Sequence, residues 1–546
     1  MATVETIDFD AVFEEITNRQ IREKERRILP PLIRLWDGDW NLRGICKKEN
    51  SAEFQYLDNE TGIGVLEMPL DYYLSKWMND VKARSTTNIH ITVDKDGARW
   101  GGRLEEMRVI KDENHRAYIR ATFKHDYEEL KHVLAWSNPF LPAEIQFPKV
   151  WALYGRSRWV CKTTLLCNIM RLESSLWMLP DNPLDPNQWF NFDQSTWSMV
   201  VKPDQDEDTS VRALIVSRFK TVHDATKNIV ADSQLTWEFR RYLDGDEPPW
   251  PGADLRHGCL VIDLLNKSGW NTGTSFGGDL FNGLIHELIN IGGDGITQTS
   301  EVLADPNMPN EYKTPGYKGS VPSVPGVIYR ESEHTGIQSS EVVWKPATDV
   351  GVVAGGSSMP GVNEAISAGV QMVGDLSAMI PGVPPLGGVA DAILRPLYEN
   401  VFLAFGKHKN IARAQRLGWS HYHEKWADGA DRAYTLAWLL AMRAGMWETR
   451  EYISLQFKVA DGAPWRIGQR GHGHFFLGDR IGCTVLGQPP GVIWVDRVSE
   501  LVLKWDRATT PHWEITIGQR EPKDPIAAAW QRIQDIFSLL RDLGVL

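Results

Sequence analysis

The fold is decided first by an alternating run near the start of the chain, Leu32-Ile33-Arg34-Leu35-Trp36-Asp37-Gly38-Asp39-Trp40-Asn41-Leu42-Arg43-Gly44. The alternation continues on both sides of Asp37-Gly38, and Asp-Gly is a favoured two-residue hairpin turn. Further alternating runs follow at residues 89–93, 102–110 and 117–124. Together these runs predict a first small antiparallel β-barrel module over residues 32–150.

The end of the chain repeats this pattern and predicts a second β-barrel module over residues 451–520. Its alternating runs lie at residues 453–459, 480–486, 492–505 and 512–518. Between the two modules, a helical pattern at 159–179 precedes a strand, a helix and a β-hairpin within 211–265, which predicts an α+β module over residues 151–305. The remaining segments are a helical arm at 1–31, a Pro/Gly-rich linker at 306–349, a helical insertion at 350–450 and a C-terminal helix at 521–546.

The segment from Val350 to Phe405 is apolar and nearly free of charge, with its small residues clustered at a turn around residues 380–388. Helical periodicity on both sides of the turn predicts an apolar helical hairpin with a narrow polar seam on each arm. Its apolar positions include Val362, Ile366, Val370, Val373, Ile380, Leu386, Ile393, Leu397 and Phe402. An arm of about 20 residues spans roughly 30 Å, close to the thickness of a membrane's hydrocarbon core. Packing within the subunit or a trimer is favoured over contact with the host cell envelope, because such helices pack well against each other.

The C-terminal helix is predicted to begin at Asp524-Pro525, which supply an N-cap and a proline at the first helical position. Its apolar residues are spaced alternately by four and three, as in a coiled coil. They are Ile526, Trp530, Ile533, Phe537 and Leu540. This seam mediates either oligomerisation or docking onto its own subunit.

Composition excludes several classes of function. A formal net charge of -12 over 546 residues disfavours specific nucleic-acid binding, which requires clustered Lys and Arg. Five cysteines without a C-x-x-C pair suggest neither a disulfide framework nor a thiolate zinc site. The acidic N-terminus has no secretory signal pattern, and no apolar run makes a confident membrane span. We therefore expect synthesis in a reducing cytoplasm.

The motifs that resemble catalytic or metal sites are incomplete. His286-Glu287-Leu288-Ile289-Asn290 is similar to H-E-x-x-H, but Asn290 replaces the second zinc ligand. The His421-Tyr422-His423 and His472-Gly473-His474 pairs have no Cys or carboxylate at ligand-like spacing. No nucleotide-binding glycine motif is complete. We expect no enzyme activity, no metal and no cofactor.

The order of the modules resembles the minor tail proteins of long-tailed actinobacteriophages, of the tail-hub or baseplate-hub type. Three stretches carry the resemblance: the run at 32–44, the helix and hairpin from Phe219-Lys220-Thr221-Val222-His223-Asp224-Ala225 to Leu260-Val261-Ile262-Asp263-Leu264-Leu265, and the late segment from Gly478-Asp479-Arg480-Ile481-Gly482 to Ile515-Thr516-Ile517-Gly518. The family implies a homotrimeric hub at the tail tip of the virion, in which two tube-like β modules per subunit continue the hexameric tube. The hairpin at 350–405 departs from the minimal hub pattern.

The resemblance also implies partners and roles. The hub would contact the distal tail protein, the tape-measure protein and other minor tail or central fibre proteins, and would take part in gating DNA ejection. Two alternatives remain. The 23 tryptophans suggest a tail-associated protein that binds or hydrolyses cell-wall glycan, and the hairpin suggests a membrane-active module.

Overall fold

A computed structural model describes most of the first half of the chain and parts of the second. The described residues are 9–113, 115–210, 212–267, 301–303, 327–330, 337–355, 367, 405–427, 445, 449, 452–459, 461–484, 486–487 and 493–518. The chain divides into two compact units, each of which is described by itself. The first comprises Met1–Thr274, Ser300–Val342 and Leu455–Arg520, and the second comprises Ser275–Thr299, Val343–Ser454 and Glu521–Leu546.

The described secondary structure is mixed and dominated by strands. The strands of the first half are β1 (Leu32–Asp37), β2 (Leu42–Cys46), β3 (Ser51–Leu57), β4 (Ile63–Pro69), β5 (Ile89–Lys95), β6 (Ala98–Lys111), β7 (Ala117–His125), β8 (Leu134–Ala135), β9 (Trp151–Arg156), β10 (Met199–Val201), β11 (Arg212–Ser217), β12 (Lys220–Thr221), β13 (Leu235–Arg241) and β14 (Leu260–Asn266). Those of the second half are β15 (Glu301–Leu303), β16 (Ile328–Tyr329), β17 (Ile337–Lys345), β18 (Gly351–Gly355), β19 (Phe405–Lys409), β20 (Lys425–Trp426), β21 (Tyr452–Val459), β22 (Arg480–Cys483), β23 (Ile493–Asp506) and β24 (His512–Ile517). The helices are α1 (Phe9–Ile28), α2 (Tyr73–Asn79), α3 (Glu129–His132), α4 (Ser157–Glu173), α5 (Val222–Asp232) and α6 (Ile411–Leu417).

Twelve strands of the first unit form one sheet, in the order β16-β22-β23-β3-β4-β7-β6-β5-β1-β2, with β15 and β24 also paired to β23. The strand β23 can hold four partners because it is 14 residues long, so that its first half pairs with β15 and β22 and its second half with β3 and β24. Alternate residues of the central strands point into an apolar core that includes Phe54, Leu66 and Phe123.

Strands from both predicted barrel modules pair within this one sheet, and the prediction of two separate barrels is not confirmed. The strand β23, from the late segment, pairs antiparallel with β3, from the early segment, between Glu500↔Leu57 and Asp506↔Ser51. Alternation predicted β23 but not β3, and it carries no information about the partner of a strand, because any edge strand can pair with any other. The predicted hairpin at Asp37 is confirmed, although its loop spans residues 38–41 rather than two residues.

The α+β elements predicted at 151–305 are present where they are described. Helices α4 and α5 cover strands β9, β11, β13 and β14, and their contact forms a core that includes Leu165, Ile169 and Ile215. The short strand β10 was not predicted. It pairs parallel to β14 and completes a three-stranded sheet with β13.

Strands lie where the sequence predicts a linker and the base of a helical hairpin. Residues 306–349 include β16 and β17. Residues 351–355 form β18, which pairs antiparallel with β19, so that Gly355 lies opposite Phe405. The predicted helix therefore cannot include the ends of the 350–405 segment, and Val352 and Ala354 of β18 are buried.

Both sets of predicted site residues lie outside the described part of the chain. These are the hairpin positions Val362, Ile366, Val370, Val373, Ile380, Leu386, Ile393, Leu397 and Phe402, and the C-terminal positions Ile526, Trp530, Ile533, Phe537 and Leu540. The His286-Glu287 motif lies outside it as well. Within the described residues, none of the helices combines the length and the apolar content that a membrane crossing needs.

Candidate interaction surfaces

A buried ion pair joins the large sheet to the α+β module within the first unit. Arg241, at the end of β13, donates from Nε and Nη2 to the two carboxylate oxygens of Asp126, at 3.0 and 2.6 Å. Both side chains are buried, and Nη1 also donates to the carbonyl of Gly258. Burial by itself would raise the pKa of the Asp126 carboxyl, but the charge and the hydrogen bonds of Arg241 hold it below its ordinary value.

Aromatic rings close this junction, which we call the joint. The Trp40 ring, at the β1–β2 turn, stacks on His90 with centroids 4.7 Å apart, and the Arg241 guanidinium lies 4.8 Å from the centre of the same ring. Gly258 passes so close that a Cβ there would lie 2.2 Å from Trp40. Burial lowers the pKa of His90 to about 3 and that of the neighbouring His125 to about 4. At neutral pH both histidines of the joint are therefore uncharged, and its cation, Arg241, is paired with Asp126.

A second polar contact brings three segments of the chain together. The Asp58 carboxylate accepts from Thr236 Oγ1 at 2.8 Å and from Arg497 Nη2 at 3.0 Å, so that β13 and β23 meet the end of β3. The side chain of Asn59 adds hydrogen bonds to the backbone of Leu235 and Trp237. The first unit is held by polar contacts between segments that are far apart in sequence.

The acidic loop at residues 204–208 is neutralised by cations of helix α4. Asp204, Asp206 and Asp208 surround the Arg158 guanidinium at 3.2 to 3.7 Å. One turn further along α4, Lys162 bridges Asp204 and Asp263, at 2.5 and 2.8 Å. The alternating aspartates of this loop thus serve as internal ion-pair partners.

Helix α1 is anchored at its C-terminal end and exposes apolar side chains towards its N-terminus. The buried Lys95 ammonium donates to the carbonyls of Arg27 and Leu29, both at 2.9 Å, which satisfies the free carbonyl groups of a helix end. Arg27 donates in turn to the carbonyls of Asp461 and Trp465. At the other end, Phe9 and Phe13 are 78% and 72% exposed.

Two loops next to α4 form a second exposed apolar region, which we call the aromatic loop surface (residues 136–150 and 174–198). Its large exposed side chains are Phe140, Ile145, Phe147, Trp177, Met178, Leu179, Leu184, Trp189, Phe190 and Phe192. Trp177 and Phe190 have φ angles of 65° and 50°, a region that bulky residues seldom adopt. Such strain persists only where the surroundings enforce it, and it is common at binding sites.

Internal hydrogen bonds brace both loops. In the first loop, the Gln146 amide donates to the carbonyls of Asn138, Leu141 and Pro142. In the second, Trp189 Nε1 donates to the carbonyl of Pro183 at 3.0 Å, and Asp185 caps a short 3-10 helix. An apolar surface held in one shape loses little entropy on binding, so these loops suit a protein interface.

Arg171 contacts one residue of each loop, and it has no carboxylate partner among the described residues. Its guanidinium lies 4.1 Å from the centre of the Trp136 ring, and Nη1 lies 3.9 Å from Met178 Sδ. The nearby Glu173 carboxylate instead accepts from Ser198 and Met199. The side chain is only 3% exposed, and burial lowers its pKa to about 10.

The second unit presents a smaller cleft beside helix α6. The cleft measures about 460 Å³, and Lys409, Gln415, Trp419 and His421 are among its lining residues. Trp419 follows Gly418, whose φ is 82°, and is 93% exposed. The His421 and His423 rings lie 5.1 Å apart, but no group of three or more potential ligands is placed to hold a metal ion among the described residues.

A family model, described as Siphovirus ReqiPepy6 Gp37-like protein, matches residues 32–519. The chain belongs to this Gp37-like family.

Two relatives of this Gp37-like chain are named Minor tail protein Gp28, from Mycobacterium phages L5 and D29. They are 37% and 36% identical to it, and each match covers 98% of both chains. Among solved structures, a tail protein from Neisseria meningitidis MC58 aligns with a TM-score of 0.36 at 10% identity, covering 90% of this chain and 97% of that one. A 43 kDa tail protein of prophage MuSo2 from Shewanella oneidensis aligns with a TM-score of 0.35 at 11% identity, covering 91% and 99%.

The family and the relatives confirm the recognition made from the order of modules. This Gp37-like chain is a minor tail protein of the actinobacteriophage type, and its place is the virion tail. The joint, Arg171 and the aromatic loop surface were not predicted from the sequence. The runs of aromatic residues among prolines at 136–148 and 176–192 were the available signal.

Proposed function

We propose that this minor tail protein is the hub of the tail tip, where a homotrimer caps the tail tube and converts sixfold to threefold symmetry. The main observation in support of this proposal is the single sheet in which the early and late β segments pair through β3 and β23. Two tube-like segments held in one body can present two tube-facing surfaces per subunit with fixed spacing, and three such subunits would continue a sixfold ring.

The surface properties of the chain support this role. A net charge of -12 keeps an inner wall from retaining DNA, because like charges repel the phosphate backbone. Exposed apolar surface of the kind found on the aromatic loops is usually covered in an assembly. The neighbours in this proposal are the distal tail protein, the tape-measure protein and other minor tail or central fibre proteins. The hub anchors the fibres, takes part in gating ejection and has no catalytic function.

The apolar hairpin and the C-terminal helix form contacts between subunits of this hub. The apolar hairpin at 356–404 packs around the threefold axis, and the C-terminal seam adds a helix contact between subunits. Envelope contact by the hairpin is the alternative role. Liposome flotation of the intact chain and of a variant lacking residues 357–404 tests this role. Equal flotation of both would show that the hairpin does not contact the membrane.

The oligomeric state tests the hub directly. Light scattering coupled to size exclusion should give three times 61.8 kDa for the purified chain. If the chain is a monomer at every concentration up to that used for assembly, the hub proposal is wrong. Addition of the distal tail protein should then produce a complex that contains three copies of this chain.

Glycan binding is a second candidate function, and the exposed Trp419 favours it. A free indole face beside an amide, an ammonium and an imidazole can stack on a sugar ring while these groups bond its hydroxyls. Sedimentation with purified host cell wall tests this function, with Trp419→Ala compared against Trp344→Ala, at another exposed tryptophan. Equal sedimentation of both variants would exclude the cleft as a glycan-binding site. Release of soluble wall fragments would indicate hydrolysis instead.

A further inference from the structure

We infer that the second half of strand β6 in one copy of this chain pairs with strand β17 of a second copy. The inference rests on the proposed homotrimer and specifies one contact between its subunits. Such a contact joins two different edges of identical subunits. It closes into a ring of three when the rotation between neighbouring subunits is one third of a turn.

The second half of β6 extends past the end of its neighbour β5. Pairing with β5 ends at Arg103, whereas pairing with β7 continues to Lys111. The side of β6 that faces β5 in its first half is therefore an open edge in its second half. Among the described strands, none pairs with this open edge.

The backbone groups along the open edge point outward. At the end of the β6–β7 hairpin, the Asp112 amide donates to the Arg116 carbonyl at 3.0 Å. Because hydrogen bonding alternates along an antiparallel pair, the N–H and C=O groups of Met107, Val109 and Lys111 point away from β7. No other described residue bonds to these groups, and the Val109 side chain is 51% exposed.

Another edge of the same sheet, that of β2, is blocked by a side chain. The Tyr72 hydroxyl donates to the Ile45 carbonyl at 3.2 Å and accepts from the Lys47 amide at 3.3 Å. An edge strand that is not covered in this way can pair with a further strand. The second half of β6 has no such cover among the described residues, so the sheet can be extended there.

Strand β23 repeats the arrangement of β6 and shows the corresponding edge occupied. Both strands are 14 residues long, and both have a shift in pairing register near the middle, after Leu104 in β6 and after Val498 in β23. The first half of each pairs antiparallel with the strand before it, β5 or β22, and each pairs with the strand after it, β7 or β24. The second half of β23, however, is also paired with β3.

Strand β3 lies on the side of β23 that corresponds to the open edge of β6. It pairs with the same residues of β23 as β24 does, so β3 and β24 lie on opposite sides of β23. The Val498 amide donates to the Asp479 carbonyl just before β22, whereas the Arg497 carbonyl accepts from Gly518 just after β24. Neighbouring residues of a strand bond to opposite sides, so β22 lies on the side of β3.

The burial of side chains agrees with this correspondence. Leu501 and Leu503 follow the register shift of β23 and are fully buried. Met107 and Val109 occupy the same positions after the register shift of β6, but they are only partly buried. A strand on the open edge would cover these two apolar side chains and bond the backbone groups beside them.

The order of strands in the chain identifies β17 as the occupant. Strand β3 already has β4 and β23 on its two sides, so it cannot pair with β6 of a second copy. Strands β3 and β4 pair with each other and precede β5, β6 and β7, and β17 and β21 likewise pair with each other and precede β22, β23 and β24. Strand β17 therefore corresponds to β3, and Ser339 and Glu341 in its middle are exposed.

The same contact then recurs around the ring. Within one chain, β3 and β23 join the early half to the late half. Between chains, β17 and β6 would join the late half of one copy to the early half of the next. Contacts of this head-to-tail kind continue from subunit to subunit until the ring closes, which identifies a second copy as the source of β17.

Photo-crosslinking of the full chain tests the contact. The photoreactive residue p-benzoylphenylalanine replaces Val109, the purified trimer is irradiated, and the products are separated under denaturing conditions. We expect a covalent dimer in which residue 109 of one chain is joined to residues 337–345 of the other. Crosslinks within a single chain, between two β6 strands, or to other segments would overturn the inference.

A proline substitution separates this inference from the hub itself. Val109→Pro removes an N–H that points to the open edge, so the circular dichroism spectrum of the subunit should not change. Self-association should weaken by roughly tenfold, the effect of one lost backbone hydrogen bond. The control Val109→Thr keeps both the N–H and the branched side chain, and it should associate as the unmodified chain does.

The outcomes distinguish the strand pairing from the trimer. A trimer that forms equally tightly in both variants refutes the strand pairing and leaves the hub standing. A monomeric unmodified chain refutes both. If Val109→Pro does not fold, the crosslinked peptides decide, because they are measured on a chain that retains the backbone N–H at residue 109.

Discussion

Two arginines of this molecule are almost equally buried but have opposite surroundings. Arg241 is 5% exposed and makes a two-pronged ion pair with Asp126. Arg171 is 3% exposed, stacks on Trp136 and has no carboxylate beside it among the described residues. A buried charge is costly unless it is paired. The first cation is therefore complete within its own subunit, and the second is not.

The difference separates internal structure from interaction surface. The joint around Arg241 is closed on every side, by Trp40, by the Gly258 carbonyl and by Asp126. The loops around Arg171 instead end in exposed rings, and Leu184 is 92% exposed.

Breaking the joint should have the largest effect. Arg241→Met leaves the buried Asp126 carboxylate unpaired, which typically costs about 3–5 kcal/mol of folding free energy. Chemical unfolding followed by tryptophan fluorescence should show this loss.

The matched control for Arg241→Met is Arg108→Met, which removes an exposed ion pair to Glu106 on the same sheet. Water screens the charges of an exposed pair, so its loss should change the free energy of unfolding little. If both substitutions cost the same, the joint does not hold the modules together.

Acid should weaken the joint by a smaller amount. His90 and His125 have pKa values of about 3 and 4 because burial disfavours their charged forms. The unfolded chain takes up these protons near pH 6.5, so their contribution to stability is complete above pH 6.5 and is lost as pH falls towards 4. At pH 5 the free energy of unfolding should be lower than at pH 7 by about 2 kcal/mol for each histidine.

Thermal unfolding at pH 7 and pH 5 measures this effect. His125 Nδ1 accepts a hydrogen bond from the Tyr127 amide. The substitution His125→Asn keeps an acceptor for this amide but removes the titrating ring. The variant should lose less stability between the two pH values than the unmodified chain. An equal loss would show that His125 does not titrate as its burial requires.

The sequence predicted local elements well, because they follow from local periodicity. The strands β5, β6, β7, β23 and β24 and helices α4 and α5 lie close to their predicted positions. The β3–β23 pair could not be predicted, because hydrogen bonding between edges more than 400 residues apart leaves no local pattern. The strand β18 was hidden for a related reason: Gly351 to Gly355 fits the apolar segment around it.

The interaction surfaces were harder to predict than the strands. The aromatic residues at 176–192 were visible, but scattered tryptophans mainly indicate core packing. Only the structure separates exposed Trp177 from buried Trp197. Likewise, the sequence of α4 does not reveal that Arg158 faces three aspartates while Arg171 faces an aromatic ring.

The smallest expected effect on stability is that of Arg171→Met, the same substitution as at Arg241. It gives up a cation–π contact of about 0.5–2 kcal/mol but also removes an unpaired charge from a buried site, so the net change should stay within about 1 kcal/mol. Unfolding should therefore resemble that of the unmodified chain. If Arg171→Met destabilises the subunit as strongly as Arg241→Met, the subunit itself compensates Arg171.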